Sequence, residues 1–150
     1  MLPPTAERVE RNTAERANRR IARETEWRIR HFAAHPDRID RRLGEIGAEW
    51  DIERTLEANA ASLALAGTLL GAFVDKRFLI LPALVTGFLL QHALQGWCPP
   101  VPFLRRRGVR TAQEIDRERY ALKALRGDFR RVEGDTDPAV ASSALRAAST

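Results

Sequence analysis

AASLALAGTLLGAFV, residues 60–74, and FLILPALVTGFLL, residues 78–90, are two apolar blocks parted only by Asp75-Lys76-Arg77. Between Ala60 and Gln91 no other charge occurs, whereas charged residues make up 30% of the whole chain. The reading of these blocks decides the fold. A helix at the surface of a soluble bundle alternates an apolar stripe with a polar face. Neither block does so. In the first, Ala60, Ala64, Gly67 and Gly71 fall on one face and leucines cover the rest. Small residues on one stripe permit close backbone approach, which is how helices associate in lipid. Gly67-x-x-x-Gly71 carries that meaning because the segment around it is apolar. Trp97 stands at the end of the second block, where an interfacial aromatic belongs. We therefore expect two helices forming a hairpin in a membrane.

Length argues against this. A spanning helix usually needs about 20 apolar residues, and Ala60 to Val74 supplies about 22 Å of helix. The second block lengthens if Gln91, His92 and Gln95 are admitted as polar positions within it. Short spans are accommodated by bilayer thinning or oligomerisation. The competing arrangement is a soluble helical adaptor in which both blocks are buried.

The flanking segments are charged and unevenly so. Residues 1–35 carry eight arginines and five glutamates, residues 36–57 four arginines and seven acids, and residues 99–134 ten basic and five acidic groups. Of 25 basic residues only Lys76 and Lys123 are lysines. Arginine stays charged and pairs with carboxylate or phosphate through a rigid fork. Residues 5–33 are expected to form a helix capped by Thr5. Its Glu7–Arg11, Glu15–Arg19, Glu24–Arg28 and Glu26–Arg30 pairs each contribute about 0.2–0.5 kcal/mol. Pro36 opens a second, amphipathic helix reaching about Glu57, with Ile39, Leu43, Ile46 and Trp50 on one face. Cys98-Pro99-Pro100-Val101-Pro102 reads as non-helical. Thr111-x-x-Glu114 is a capping box that opens a last helix, with Ile115, Leu122, Leu125 and Phe129 as its apolar stripe.

The expected fold is thus all-α: a charged N-terminal helix (1–35), an amphipathic helix (36–57), the membrane hairpin (58–98), a Pro-rich link and amphipathic helix (99–133), and a loose tail (134–150). No cleavable secretory signal is visible. Arginines concentrate before Ala60 and after Trp97, which favours cytoplasmic placement of both termini. The run Arg105-Arg106-Arg107 then lies near the inner leaflet, where it can meet anionic lipid headgroups.

Few residues suggest chemistry. Cys98, the single cysteine, allows no internal disulfide. Near the arginine run its thiol can have a lowered pKa and act in sulfur transfer or redox sensing; otherwise it fills a helix end. His92, between Gln91 and Gln95, is a polar intramembrane group suited to helix–helix hydrogen bonding, since a second ligand for a metal is lacking. Glu49, Glu53 and Glu57 share a face and suit pairing with Arg117 or Arg119. We expect no metal site, no cofactor and no catalytic residue. The basic residues are interleaved with acids, without a nucleic-acid-binding motif.

The run Gln91-His-Ala-Leu-Gln-Gly-Trp-Cys-Pro-Pro100, followed by a helix entered through Gly108-Val-Arg-Thr111, resembles the YgaP-like inner-membrane transmembrane family. Its small helical hairpin ends in Gly-x-Cys-Pro, here Gly96-Trp97-Cys98-Pro99. The resemblance covers about residues 51–130 and implies a bacterial inner-membrane protein. Some members carry a fused rhodanese domain, for which this chain has no room, so sulfurtransferase activity does not follow. The function expected is that of a small membrane anchor or assembly subunit, contacting the bilayer and either itself or another membrane protein.

Overall fold

The computed structural model describes Pro4, residues 7–130 and Ala144, Ala147 and Ala148. The secondary structure of these residues is helical: α1 (Arg8–Arg11), α2 (Glu15–Ala34), a 3-10 turn at Pro36–Arg38, α3 (Ile39–Ala48), α4 (Ile52–Phe73), a 3-10 turn at Lys76–Leu79, α5 (Ile80–Gln95), α6 (Pro100–Arg106) and α7 (Ala112–Arg126). The chain divides into two units, residues 1–21 with 50–113, and residues 22–49 with 114–150.

The expected long helices are broken at identifiable places. The first breaks at Asn12–Ala14. Thr13 Oγ1 donates to the Val9 carbonyl (2.7 Å) and Asn12 Nδ2 to the Arg8 carbonyl (2.8 Å). Such side chains occupy acceptors that a continuing helix would use. Thr5 lies outside the described residues. The second breaks at Glu49–Asp51, because Asp51 caps a new helix: its Oδ1 accepts from the Arg54 amide at 2.7 Å. The Pro-rich link is a correction of a different kind. Pro100–Arg106 is helical. Pro100 and Pro102 occupy its first turn, where backbone N–H groups have no intrahelical acceptor, so nothing is lost by their absence.

In the first unit, α4 packs along α5. Gly67 and Gly71 are buried against the residues that open α5 and the turn before it. A Cβ at Gly67 would stand 2.6 Å from Pro82 Cδ, and one at Gly71 2.5 Å from Leu79 Cδ2. Ala60 and Ala64 are half-buried. The small-residue stripe is therefore used within the chain. At the other end of these helices Val9, Ile52, Leu56, Cys98 and Val101 form a buried apolar cluster, with Leu104 and Val109 packed on it.

Two helical stretches, Pro36–Phe73 and Lys76–Gln95, are long and apolar enough to cross a membrane, and only 17% and 6% of their most apolar windows are buried inside the protein. Helix α4 has 22 residues, about 33 Å of rise, but its first two turns carry Glu53, Arg54 and Glu57, so its uncharged part begins only near Ala58 and stays shorter than the usual span of about 20 apolar residues.

The second unit has its own core of Ile39, Ile46, Ile115 and Leu122, with Phe32 and Leu43 against it. Trp50 and Leu125, both placed on apolar faces by the sequence, are 49% and 43% exposed. Leu125 lies about 80° round α7 from Ile115 at 3.6 residues per turn. Phe129 falls beyond α7 and meets Tyr120, with ring centroids 6.5 Å apart. Glu118 is completely buried and accepts from Arg28 Nε (3.0 Å) and Arg42 Nε (2.8 Å). Arg28 thus pairs across the unit as well as belonging to the expected helix pattern, whereas Glu7–Arg11 and Glu15–Arg19 are paired at 2.7 and 3.0 Å. Apart from Ala144, Ala147 and Ala148, the expected loose tail lies outside the described residues; buried Lys123 donates to the carbonyls of Ala147 and Ala148.

Candidate functional site

The polar side chains of the first unit converge where α4 begins and α5 ends. Asp51 starts α4, so Glu53 sits in its first turn and projects toward the last turn of α5. There His92, only 2% exposed, places Nε2 at 2.8 Å from Glu53 Oε2. A carboxylate only accepts, so Nε2 carries the proton. Glu53 Oε1 accepts from Arg8 Nη2 at 2.9 Å. The His92 hydrogen bond holds the Glu53 carboxyl below its usual value; burial opposes this, and Arg8 reinforces it. Nδ1 of His92 is buried and meets no hydrogen-bond partner.

The N-terminal segment closes this joint. Val9 enters the apolar cluster, and Asn12 Nδ2 also donates to the Gln95 carbonyl at 2.8 Å. Gly96 ends α5 with φ of 75°, and a Cβ there would stand 2.5 Å from the Arg8 carbonyl carbon and oxygen. Glycine is thus required twice, for the left-handed conformation and for the approach of α1.

Cys98 lies beyond α5 and is 3% exposed. Burial pushes its thiol up, the Val101 amide hydrogen bond opposes this, and the Glu53 charge adds to the rise. This favours the helix-end packing role over the alternative of an activated thiol. Arg105 is a correction. Its side chain is completely buried, donating to the Val109 carbonyl (3.0 Å) and to Asn18 Oδ1 (2.9 Å). It fastens α6 to α2 and is withdrawn from any headgroup. Arg106 and Arg107 remain exposed. Gln91 is half-buried and Gln95 exposed. Glu53 takes Arg8 and His92 in place of the arginines of α7; Arg119 pairs with Asp116, and Arg42 approaches Glu49 at 3.9 Å. Among the described residues no group of three or more His, Cys, Asp or Glu side chains is placed to hold a metal ion.

The arrangement suits fastening. It joins three chain segments through charge-assisted hydrogen bonds around a small apolar core. Arg8 was read in the sequence only as one of eight N-terminal arginines, and no local pattern pairs it with a glutamate 45 positions away. No family model, curated protein or solved structure matches this chain.

Proposed function

We propose that the protein is a small integral membrane protein of the bacterial inner membrane, with α4 and α5 forming a two-helix hairpin through the bilayer and both termini cytoplasmic. Its work is structural: an anchor or assembly subunit without catalysis of its own. The observation that carries this reading is the outward apolar surface of α4 and α5, where Leu65, Phe73, Ile80 and Leu90 are 62%, 82%, 66% and 62% exposed. Keeping such side chains in water costs about 25 cal/mol per Å², and soluble monomers rarely expose contiguous apolar patches beyond a few hundred Å². Hydrocarbon removes that cost. Ser62, Thr68 and Thr86, exposed on the same surfaces, direct their hydroxyls to carbonyls of their own helices at 2.7–2.8 Å, which satisfies them without water.

In this reading the spans are residues 60–74 and 78–91, the joint of Arg8, Glu53 and His92 lies at the cytoplasmic end, and Cys98 is packing. The Gly96-Trp97-Cys98-Pro99 ending, similar to that of the YgaP-like family, belongs to the same proposal. Partners are the bilayer and, through the outward helix faces, a second copy or another membrane protein.

Carbonate extraction of membranes tests the assignment: the protein stays in the pellet, and release into the supernatant would refute it. In a Cys98→Ser background, Asp75→Cys should react with an impermeant thiol reagent from outside intact cells. Reaction only after lysis would overturn the orientation.

A further inference from the structure

We propose that the cytoplasmic base of α4 and α5 carries a collar selective for anionic phospholipid headgroups, built from Trp50 and Arg54 at the entry to α4 and from Trp97, Phe103, Arg106 and Arg107 after α5. The proposal rests on the membrane reading above and adds a lipid preference to it.

The argument begins with which arginines the fold leaves for an external anion. Arg8, Arg11 and Arg19 are held by Glu53, Glu7 and Glu15, and Arg105 is buried. Arg54, Arg106 and Arg107 are exposed, and none pairs with a carboxylate among the described residues. Two of them instead lie over aromatic rings. The guanidinium carbon of Arg54 is 4.4 Å from the Trp50 ring centroid, and that of Arg107 is 4.4 Å from the Phe103 ring centroid. Those rings are themselves outward: Trp50, Phe103 and Trp97 are 49%, 54% and 36% exposed. An exposed aromatic costs less at a headgroup layer than in water, and there an arginine meets phosphate with its two-pronged fork.

The two halves of the collar are far apart in sequence, and the fold brings them to one place. The Ile52 amide donates to the Arg110 carbonyl at 2.9 Å, and Val101 of α6 is buried with Ile52 and Leu56 of α4. This packing turns Val101 and Arg105 of α6 inward and leaves Phe103, Arg106 and Arg107 outward. Beside Glu53, which Arg8 and His92 hold, the acids on the same part of α4 are half-buried Asp51 and exposed Glu57; three cations against these two acids keep the collar positive. Charge complementarity thus selects an anionic lipid over a zwitterionic one.

The test uses the full chain in bilayers of equal parts phosphatidylcholine and phosphatidylglycerol, with trace spin-labelled lipid of either kind. Electron paramagnetic resonance then reads the motionally restricted fraction. Labelled phosphatidylglycerol should be selected over labelled phosphatidylcholine, by up to about fivefold for each arginine that reaches the surface. Added salt should weaken the preference. The triple variant Arg54→Gln, Arg106→Gln, Arg107→Gln should lose it while keeping the same total restricted lipid. Arg30→Gln, whose partner is Glu26 on an exposed face of α2, should keep it. Equal restriction of both lipids by the natural chain, or a preference that survives the triple variant, would overturn the collar alone. Absence of restricted lipid of either kind would overturn the membrane reading and the collar with it.

Discussion

Replacing Gly67 with alanine tests the close approach of α4 and α5 by a single methyl group. In a helix alanine is ordinarily better than glycine by about 1 kcal/mol. Gly67 and Gly87 both lie within the apolar helices, so that gain is shared and cancels in their comparison. The surroundings differ. A Cβ at Gly87 meets nothing within 4 Å, whereas at Gly67 it stands 2.6 Å from Pro82 Cδ and 3.1 Å from Leu81 Cβ. The proline ring cannot rotate away, so one helix must shift. Overpacking of this kind costs about 1–3 kcal/mol. Gly67→Ala should therefore be less stable than Gly87→Ala by about that amount. Gly71→Ala should fall between them, because the atoms it meets first belong to Leu79, which is 45% exposed and free to adopt another rotamer. The assay is reversible unfolding in mixed micelles with increasing denaturing detergent, followed by the loss of helicity. Equal midpoints for Gly67→Ala and Gly87→Ala would show that the two helices do not approach as described.

Glu118→Ala should destabilise the second unit by about 1–3 kcal/mol, since it removes the buried acceptor shared by Arg28 and Arg42, which are 23% and 16% exposed and keep Thr25 and Glu45 as partners; a change under about 0.5 kcal/mol in chemical denaturation would place that carboxylate in solvent. Glu53 has a depressed carboxyl pKa, so its contribution is present above its unfolded value, near 4.5, and is lost as pH falls through the lower folded value. Hydrogen exchange at residues 8–12 should accelerate over that acidic window, and Glu53→Gln should flatten the response; an unchanged pH profile in that variant would assign the effect elsewhere. Cys98, buried and with its thiol pushed up, should alkylate at neutral pH more slowly than a free thiol of pKa about 8.5. Rapid alkylation of the folded protein, slowed by Arg106→Gln, would restore a redox role.

Helix type was legible along the chain because it is local. Two uncharged leucine-rich blocks around Asp75-Lys76-Arg77 can be read by counting, and the Thr111-x-x-Glu114 box places the start of α7 at Ala112. The small-residue stripe announced a close helix contact through its spacing alone. What spacing could not supply was the partner. Gly67 meets Pro82 and Leu81 of the same chain, which only the turn at Asp75 decides. Nor could it show that Asn12, where α1 and α2 part, reaches the Gln95 carbonyl 83 residues away. Glu53 and Glu118 look alike in sequence, as acids among arginines; one pairs with Arg8 and His92 and the other with Arg28 and Arg42. Arg105, Arg106 and Arg107 are identical neighbours, yet the first is buried and the other two are outward. A helix turns by about 100° per residue, so adjacent side chains face different surroundings. Which of them faces the protein is fixed by the packing of Val101 against α4, a tertiary contact that no run of arginines encodes by itself.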